Sequence, residues 1–431
     1  MTAFLSATLT LDDWLERVER LHHRTIDLSL DRVRVVAERL AIRLDCPVIT
    51  VGGTNGKGST CAMLESILRA AGFRTALYTS PHLLRFNERA RIAGVAAGDE
   101  ALIEQFEAVE RARDGTTLTY FEFTTLAILR LFMAGQPEAV VLEVGLGGRF
   151  DATNIVDADC SVVTSVDLDH MDYLGPTREH IGFEKAHIYR RGRPAICADP
   201  QPPRALLEVA RGLGADLWLF GRDFDCQGDR QQWAYRGRRI RRTGLPYPAL
   251  RGANQLLNAA GALAALEALG QRLPVSQQAV RQGLLAVELD GRFQVLPGRP
   301  AVILDVAHNP HAAAVLAQNL DNLGFFPRTL AVLGMLRDKD AAGVIDRLAD
   351  RIDHWYVGGT AGPRGLSGPA LAAVLRSRRP AAAVESFDDV ATAFDAAHRA
   401  ATADDRIIAF GSFLTVADVM RALRRRTADL R

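Results

Sequence analysis

The stretch that decides the fold is residues 47–71, PVITVGGTNGKGSTCAMLESILRAA. Pro47–Val51 is typical of a buried strand, and Ser59–Ala71 repeats apolar side chains on one helical face until Gly72 ends the pattern. A glycine-rich turn joins the two segments. Strand, turn and helix in this order predict the first unit of a parallel α/β sheet.

The glycine-rich turn, Gly52–Ser59, has the chemistry to bind phosphate. Glycines allow backbone N–H groups to converge on phosphate oxygens, the helix that follows adds partial positive charge, and Lys57 adds a full charge. The turn departs from the GxxxxGK[ST] pattern, because three residues separate Gly52 from Gly56 and Gly58 follows the lysine. We interpret the turn as a phosphate-binding loop, with a purely structural turn as the alternative.

Further β-rich runs alternate with helical patterns, which predicts an α/β fold with right-handed crossovers. A PGRP segment at residues 297–300 interrupts the series, and new strands are predicted after it in AVILDV, TLAVLG, HWYVGG and RIIAFG. We therefore expect two domains, residues 1–296 and 297–431, with one continuous sheet as the alternative. Other strands are predicted in the first domain at Thr75–Tyr78, Ala139–Val144 and Cys160–Val166.

The composition excludes several classes of protein. With 48% hydrophobic residues, 24% charged residues and a net charge of +1, the chain has no bias toward nucleic acid. Its five cysteines form no CxxC pair, which argues against a disulfide framework or a cysteine-rich zinc site. The N-terminal segment lacks a basic region followed by an apolar run, and no apolar stretch of about 18 residues occurs. We expect a soluble, cytoplasmic protein that binds neither nucleic acid nor membrane.

Polar residues stand near the carboxyl ends of three predicted strands: Ser80 after Thr75–Tyr78, Glu143 in VLEVGLGG and His170 in SVDLDHMD. Ligands collect at that edge of open parallel sheets, so the three residues could together hold magnesium beside bound phosphates. Each also has a structural interpretation. Ser80 could cap a turn, Glu143 could pair with an arginine, and His170 could satisfy a backbone carbonyl.

Nine motifs occur along the chain in the order GTNGKGS, TSPHL, FNERARIAG, LEVGLGGRFDATN, DLDHMDYLG, EKAHI, GRF, DVAHNPHA and GSF. The ordered set, which runs from about Thr25 to Val419, resembles bacterial dihydrofolate synthase/folylpolyglutamate synthases, which are Mur ligase relatives. The resemblance implies a P-loop-type N-terminal nucleotide-binding domain that also binds pteroate or folate. It further implies a smaller Rossmann-like C-terminal domain that ligates glutamate.

The resemblance also assigns nucleotide and metal contacts. It gives ATP binding to the loop and to the second half of the chain, and magnesium binding to the strand ends already described. The ATP residues are Thr54, Asn55, Gly56, Lys57, Gly58, Asn258, Arg292 and Asp305, and the magnesium ligands are Ser80, Glu143 and His170.

Lys185, in EKAHI, matches a lysine that is carbamylated in this superfamily, where the added carboxylate binds a second magnesium. The alternative is an exposed helix lysine paired with Glu184. The family motif is commonly EKAGI, so His187 departs from it and makes local packing harder to predict.

The pteroate end of the substrate is expected near two N-terminal patches and a third segment. Aromatic rings such as Tyr120 and Phe121 can stack on a pterin or aminobenzoyl ring, and Asp27 can accept hydrogen bonds from the pterin amino edge. A pure core role is the alternative for the two aromatic residues. The residues concerned are Asp27, Leu28, Ser29, Thr119, Tyr120, Phe121, Glu122, Phe150, Asp151 and Ala152.

The expected reaction joins two mutually repelling anions, since a carboxylate must attack the γ-phosphorus of ATP. Lys57 and magnesium would neutralise both partners, and Lys185 would support the metal. Glutamate would then attack the acyl phosphate, held by His308 and Ser412 of the second domain; a helix-capping role is the alternative for His308. We expect dihydropteroate and tetrahydrofolate or its polyglutamates as acceptors, with ATP, L-glutamate and two Mg²⁺, in a monomer. A monofunctional folylpolyglutamate synthase, another Mur-type ligase, a kinase and a non-catalytic nucleotide-binding protein are the alternatives.

Overall fold

The computed structural model describes residues 9–24, 26–229, 231–252 and 254–429. Thr25, where the family resemblance begins, and residues 1–8 of the N-terminal segment lie outside the described residues. Within the described ranges the chain forms an eight-stranded, a three-stranded and a six-stranded sheet. Helices cover the sheets, so the predicted α/β class is confirmed.

The predicted strands are present, most of them within one residue of the expected ends. The strand predicted over Cys160–Val166 ends earlier, at Val163. Thr164 N still donates to Gly52 O of β1, and its hydroxyl donates to Asn55 O in the glycine-rich loop. In chain order the strands are β1 Val48–Gly52, β2 Thr75–Tyr78, β3 Ala90–Ile92, β4 Val95–Ala96, β5 Ala139–Glu143, β6 Cys160–Val163, β7 Pro194–Cys197, β8 Asp216–Leu219, β9 Asp225–Gly228, β10 Trp233–Arg236, β11 Arg241–Leu245, β12 Gln294–Leu296, β13 Ala301–Leu304, β14 Thr329–Leu333, β15 His354–Gly358, β16 Val384–Phe387 and β17 Arg406–Phe410.

The α-helices connect the strands and pack on both faces of the two large sheets. Among the described residues they are α1 Leu11–Glu19, α2 Asp31–Arg39, α3 Lys57–Ala70, α4 Asp99–Arg113, α5 Tyr120–Gly135, α6 Met171–Leu174, α7 Arg178–Ala186, α8 Arg204–Leu213, α9 Gln255–Ala268, α10 Gln277–Ala286, α11 Pro310–Asn322, α12 Ala341–Leu348, α13 Gly368–Arg378, α14 Val390–Ala400 and α15 Phe413–Asp429.

The first sheet has the strand order β4-β3-β2-β5-β1-β6-β7-β8, and all its pairings from β2 to β8 are parallel. Side chains of β1 alternate between two cores, as the pleat requires. Val48 packs with the core that contains α5, whereas Ile49 and Val51 pack with the core that contains α3. Both faces are therefore apolar, which leaves the carboxyl edge of the sheet as the place for polar chemistry.

The second large sheet has the order β12-β13-β17-β14-β15-β16, and it is parallel except for β12. Its core lies on both faces, as in the first sheet. Strand β12, Gln294–Leu296, pairs with β13 and precedes the predicted boundary at residue 297. The change from one sheet to the other therefore lies on the N-terminal side of Gln294.

Candidate active site

Strand β1 delivers the glycine-rich loop to the carboxyl edge of the first sheet, and α3 begins at Lys57. Gly56 caps this helix with a φ of 86°, a left-handed conformation that side chains disfavour. A Cβ at Gly56 would lie 2.4 Å from Asn258 Oδ1. Thr164, which follows β6, stabilises the loop, because its hydroxyl donates to Asn55 O at 2.7 Å. The predicted strand, turn and helix are thus present, and Asn258 packs against the turn.

Two lysines from distant parts of the chain meet at this loop. Lys57 Nζ donates to Gly53 O at 3.0 Å and to Thr54 O at 3.1 Å, and Lys185 Nζ donates to Gly53 O at 3.0 Å. Lys185 is 4% exposed, which rules out the alternative of an exposed helix lysine. Burial and then the charge of Lys57 lower the pKa of Lys185 to about 7. A large share of this amine is therefore neutral at physiological pH.

Glu143 and Ser80 meet at the ends of the neighbouring strands β5 and β2. Glu143 is 4% exposed, and its Oε2 accepts a hydrogen bond from Ser80 N at 3.1 Å. Burial raises the pKa of Glu143, against the opposing charge of Lys57. A carboxylate in this setting gains from a cation, and carboxylate and hydroxyl oxygens are the ligands that Mg²⁺ prefers.

His170 follows β6 and lies beside a cation from the second domain. Its Nε2 is 3.2 Å from Lys339 Nζ, which also donates to Asp169 Oδ1 at 2.6 Å. Burial, with help from the charge of Lys339, lowers the pKa of His170 to about 4. The ring is therefore neutral at pH 7, which is the form of histidine that binds metals.

Asp169 joins the two domains through several contacts. The side chains of Asp169 and Lys339 are only 8% and 6% exposed. Asp169 Oδ2 also lies 3.3 Å from His308 Nε2 and accepts from Asn309 Nδ2 at 3.2 Å. Burial alone would raise the pKa of Asp169, but the hydrogen bond to His308 and the surrounding positive charges hold it well below its usual range. His308 is positioned further by Val306 O, 2.8 Å from its Nδ1.

Other predicted residues of the second half line the same space. Asp305 accepts backbone hydrogen bonds from Phe293 N at 2.9 Å and Ala307 N at 2.8 Å. The guanidinium of Arg292 lies 4.9 Å from the ring centre of Phe413. These contacts hold the two charged side chains separately at the wall of the same space.

A cavity of about 1110 Å³ contains the groups described so far. Among the described residues, no cluster of three or more His, Cys, Asp or Glu side chains is arranged to hold a metal ion by itself. A cation here would therefore also need hydroxyl or phosphate oxygens. The predicted residues that line this cavity are Thr54, Asn55, Gly56, Lys57, Gly58, Ser80, Glu143, His170, Lys185, Asn258, Arg292, Asp305, His308 and Ser412.

The first two predicted pteroate patches are joined by one arginine. Arg32 donates to Asp27 Oδ2 at 3.0 Å and to Glu122 Oε1 at 2.9 Å. Glu122 also forms a capping box with Thr119 at the start of α5, with N–O distances of 2.8 and 3.2 Å. Both patches are thus brought together, and their carboxylates already have a protein partner.

The aromatic residues of the second patch pack against other rings. Phe121 stacks on Tyr78 with ring centres 6.1 Å apart, and Tyr120 meets Phe86 edge-on at 6.4 Å. Tyr120 and Phe121 are both partly exposed. They therefore contribute to the core and still offer surface to a ligand.

The remaining predicted pteroate residues are divided between two places. Leu28, Ser29 and Phe150 line a second cavity of about 720 Å³ rather than the large one. Asp151 accepts four hydrogen bonds, from Gly145 N, Leu146 N, Thr153 N and Thr153 Oγ1, at 2.6 to 3.0 Å. Ala152 is buried beside it. Asp151 thus shapes the loop after β5 through its own hydrogen bonds.

Sequence reasoning missed Asp169, Lys339 and Arg89, all of which line the large cavity. Signals for them existed. Asp169 precedes the predicted ligand His170, Lys339 follows the predicted strand TLAVLG, and Arg89 lies in the quoted motif FNERARIAG. What the sequence does not display is that a lysine of the second domain would reach the first.

Comparisons with known proteins agree with this architecture. The family model of the Mur ligase middle domain matches residues 51–223, and that of the Mur ligase glutamate ligase domain matches residues 291–413. A dihydrofolate synthase/folylpolyglutamate synthase of Escherichia coli is 47% identical over 97% of both chains.

Solved structures give the same relationship. E. coli FolC in complex with DHPP and ADP matches with a TM-score of 0.93 and 46% identity, over 99% of this chain and 100% of that one. A bifunctional folylpolyglutamate synthase/dihydrofolate synthase with Mn, AMPPNP and L-glutamate bound matches with a TM-score of 0.89 and 45% identity, over 97% and 98%. In the part of the chain that the structure describes, no helix has the length and apolarity to span a bilayer. This chain belongs to the dihydrofolate synthase/folylpolyglutamate synthase family of Mur ligases.

Proposed function

We propose that this chain is an ATP- and Mg²⁺-dependent ligase that adds L-glutamate to dihydropteroate and to tetrahydrofolate and its polyglutamates. The observation that carries the proposal is one cavity in which the phosphate-binding loop faces residues of both domains. Relatives named for both activities match 97% and 96% of this chain, which supports the bifunctional form over a monofunctional one.

ATP would lie with its phosphates on the glycine-rich loop. Backbone N–H groups of Thr54 to Gly58 and the start of α3 would bind the phosphate oxygens, and Lys57 would turn from the loop carbonyls to the γ-phosphate. Asn258 packs against the loop at Gly56, and Arg292 Nη2 would lie 3.5 Å from a Cβ at Gly58. Asp305 lines the same cavity. We assign these three residues to nucleotide binding as well.

The side chains at the strand ends fit magnesium by their chemistry. Glu143 supplies a buried carboxylate, Ser80 a hydroxyl, and His170 a neutral ring nitrogen. Bound there, Mg²⁺ would neutralise the phosphate charge that otherwise repels an incoming carboxylate. For this, His170 must exchange its contact with Lys339 for one with the metal.

Lys185 is suited to become a carbamate. Its pKa of about 7 leaves a neutral amine, whose lone pair can form an N–C bond to CO₂ with release of one proton. The resulting anion would relieve the repulsion between the buried Lys185 and the half-buried Lys57, and it would provide an oxygen ligand for a second Mg²⁺.

The reaction then has two steps. A carboxylate oxygen of the folate substrate attacks the γ-phosphorus, and the bond to the bridging oxygen of ADP breaks. The glutamate amine attacks the acyl carbon next, and phosphate leaves with its bonding electron pair while the amine loses a proton. His308 and Ser412, which line the cavity, would hold glutamate. The contacts of Asp169 with His308 and Asn309 would keep the domains closed against water.

The pteroate body would lie against the N-terminal patches. Tyr120 and Phe121 offer aromatic surface beside the large cavity, and Asp27 and Glu122 are held together by Arg32. Leu28, Ser29, Phe150, Asp151 and Ala152 complete the proposed set around the second cavity and its adjoining loop.

A product assay tests the proposal. Purified protein is supplied with dihydropteroate or tetrahydrofolate, ATP, Mg²⁺ and L-glutamate, and the products are weighed by mass spectrometry. We expect one added glutamyl group with ADP and phosphate for either acceptor, and no product from Lys57→Ala. A phosphorylated acceptor without an amide would indicate a kinase instead.

The five cysteines lack disulfides, which supports a reducing, cytoplasmic location, and we expect a monomer.

A further inference from the structure

The motif FNERARIAG builds a rigid loop beside the predicted metal ligands. The carboxylate of Glu88 accepts three backbone hydrogen bonds, from Leu83 at 2.7 Å, Leu84 at 2.9 Å and Arg85 at 2.8 Å. The carbonyl of Arg89 accepts from Thr79 N at 3.0 Å. The backbone of Arg89 is therefore fixed next to the residue that precedes Ser80.

The side chain of Arg89 is directed into the large cavity. Arg89 is 8% exposed, and its Nε donates to His82 Nδ1 at 2.9 Å. The guanidinium lies 5.5 Å from the ring centre of Phe86 and 5.4 Å from that of Tyr120. Within the described residues its two terminal nitrogens have no hydrogen-bond or ion-pair partner.

The groups near this guanidinium suggest what it binds. It lies against the ring of Tyr120, and Ser80 and Glu143, at the predicted phosphate and metal end, line the same cavity as Arg89. A substrate with an aromatic body and a terminal carboxylate has parts that match both groups. The terminal nitrogens of arginine form a planar fork that pairs with a carboxylate through two hydrogen bonds.

We propose that Arg89 binds the carboxylate of the pteroate or folate substrate and holds it for attack on the γ-phosphate. The inference rests on the proposed function and adds to it a residue that positions the nucleophile. Burying nine-tenths of a guanidinium whose two terminal nitrogens lack partners costs free energy unless an anion binds it. Arg89 donates hydrogen bonds to the carboxylate while the new O–P bond forms and ADP departs.

Binding measurements with a matched pair of ligands test the inference. Pteroate and its neutral carboxamide analogue are titrated into wild-type protein, Arg89→Gln and Arg85→Gln. Arg85 lies in the same loop, but its side chain is 67% exposed and pairs with Asp99. We expect wild type and Arg85→Gln to prefer pteroate, and Arg89→Gln to lose that preference, by roughly 10- to 100-fold, with unchanged affinity for the carboxamide.

Three outcomes would overturn the inference. Arg89→Gln could keep the preference for the carboxylate, could weaken both ligands equally, or could weaken only a non-hydrolysable ATP analogue. If Arg89→Gln does not fold, Arg89→Lys serves instead, with a raised KM for dihydropteroate and an unchanged KM for ATP expected; a normal KM for dihydropteroate would contradict us. Failure of the proposed function would show separately, as absence of an amide product from wild-type protein.

Discussion

Lys57 and Lys185, 128 positions apart in the chain, donate to the same carbonyl oxygen, Gly53 O, each at 3.0 Å. Two ammonium groups at one acceptor repel each other, and the charge of Lys57 is the second cause, after burial, of the low pKa of Lys185. Lys57 of the glycine-rich loop and the lysine proposed for carbamylation are therefore coupled electrostatically.

Removing the charge of Lys57 should change the titration of Lys185. In Lys57→Met we expect the pKa of Lys185 to rise from about 7, so that carbamate formation needs a higher pH. The measurement is the carbamate signal in ¹³C NMR of protein in ¹³C-bicarbonate across a pH series. An identical midpoint in wild type and variant would show that the lysines are not coupled.

Lys185→Met should change how stability depends on pH. The pKa of Lys185 is lowered in the folded protein from 10.5 to about 7, so between those values the unfolded chain binds more protons and wild-type stability rises with pH. The variant lacks this slope and should be more stable than wild type near pH 7, by roughly 1–4 kcal/mol, and inactive. Denaturant unfolding at pH 7 and pH 9 checks this, and equal slopes in both proteins would refute it.

Asp169→Asn should loosen the contact between the domains. Removal of one partner of a buried ion pair costs about 3–5 kcal/mol, here divided between local stability and domain closure. We expect a raised KM for glutamate and more ADP formed per amide, because water reaches the acyl phosphate. Asp172→Asn, an exposed position in the same segment, is the control. If Asp169→Asn still forms ADP and amide in equal amounts, the contact of Asp169 with the second domain does not exclude water.

Glu143→Gln should weaken Mg²⁺ binding without destabilising the fold. The neutral amide fits the buried position, whose carboxylate has a raised pKa, so the melting temperature of the metal-free protein should not fall. The Mg²⁺ concentration needed for half-maximal ligation should rise by at least about 100-fold, beyond what supporting residues of metal sites cause. Glu138→Gln, exposed before the same strand, should behave like wild type. A normal Mg²⁺ requirement in Glu143→Gln would remove Glu143 from the metal site.

Gly56→Ala should harm nucleotide binding through contact as well as strain. The φ of 86° costs an alanine about 1–2 kcal/mol, and its Cβ would lie 2.4 Å from Asn258 Oδ1. Gly72→Ala is the matched control, since its φ is 92° but no atom lies within 4 Å of the added Cβ. ADP affinity is measured by calorimetry. If Gly56→Ala and Gly72→Ala lose the same affinity, the packing of Asn258 on the loop has no role in nucleotide binding.

The sequence predicted best where a local pattern determines the structure. The turn from Gly52 to Lys57 follows from its glycines, and the meeting of Glu143 and Ser80 follows from the parallel strands that carry them. The contact of Lys339 with Asp169 could not be predicted in this way, because it depends on how the two sheets dock. The separation of Phe150 from the large cavity depends likewise on loop packing.

An isotope experiment tests the acyl-phosphate mechanism most directly. Dihydropteroate labelled with ¹⁸O in both carboxylate oxygens is converted with unlabelled ATP, glutamate and Mg²⁺, and the released phosphate is analysed by mass spectrometry. If the carboxylate attacks the γ-phosphorus in the cavity beside Lys57, each phosphate carries one ¹⁸O atom. Phosphate without label, formed together with the amide, would contradict that mechanism.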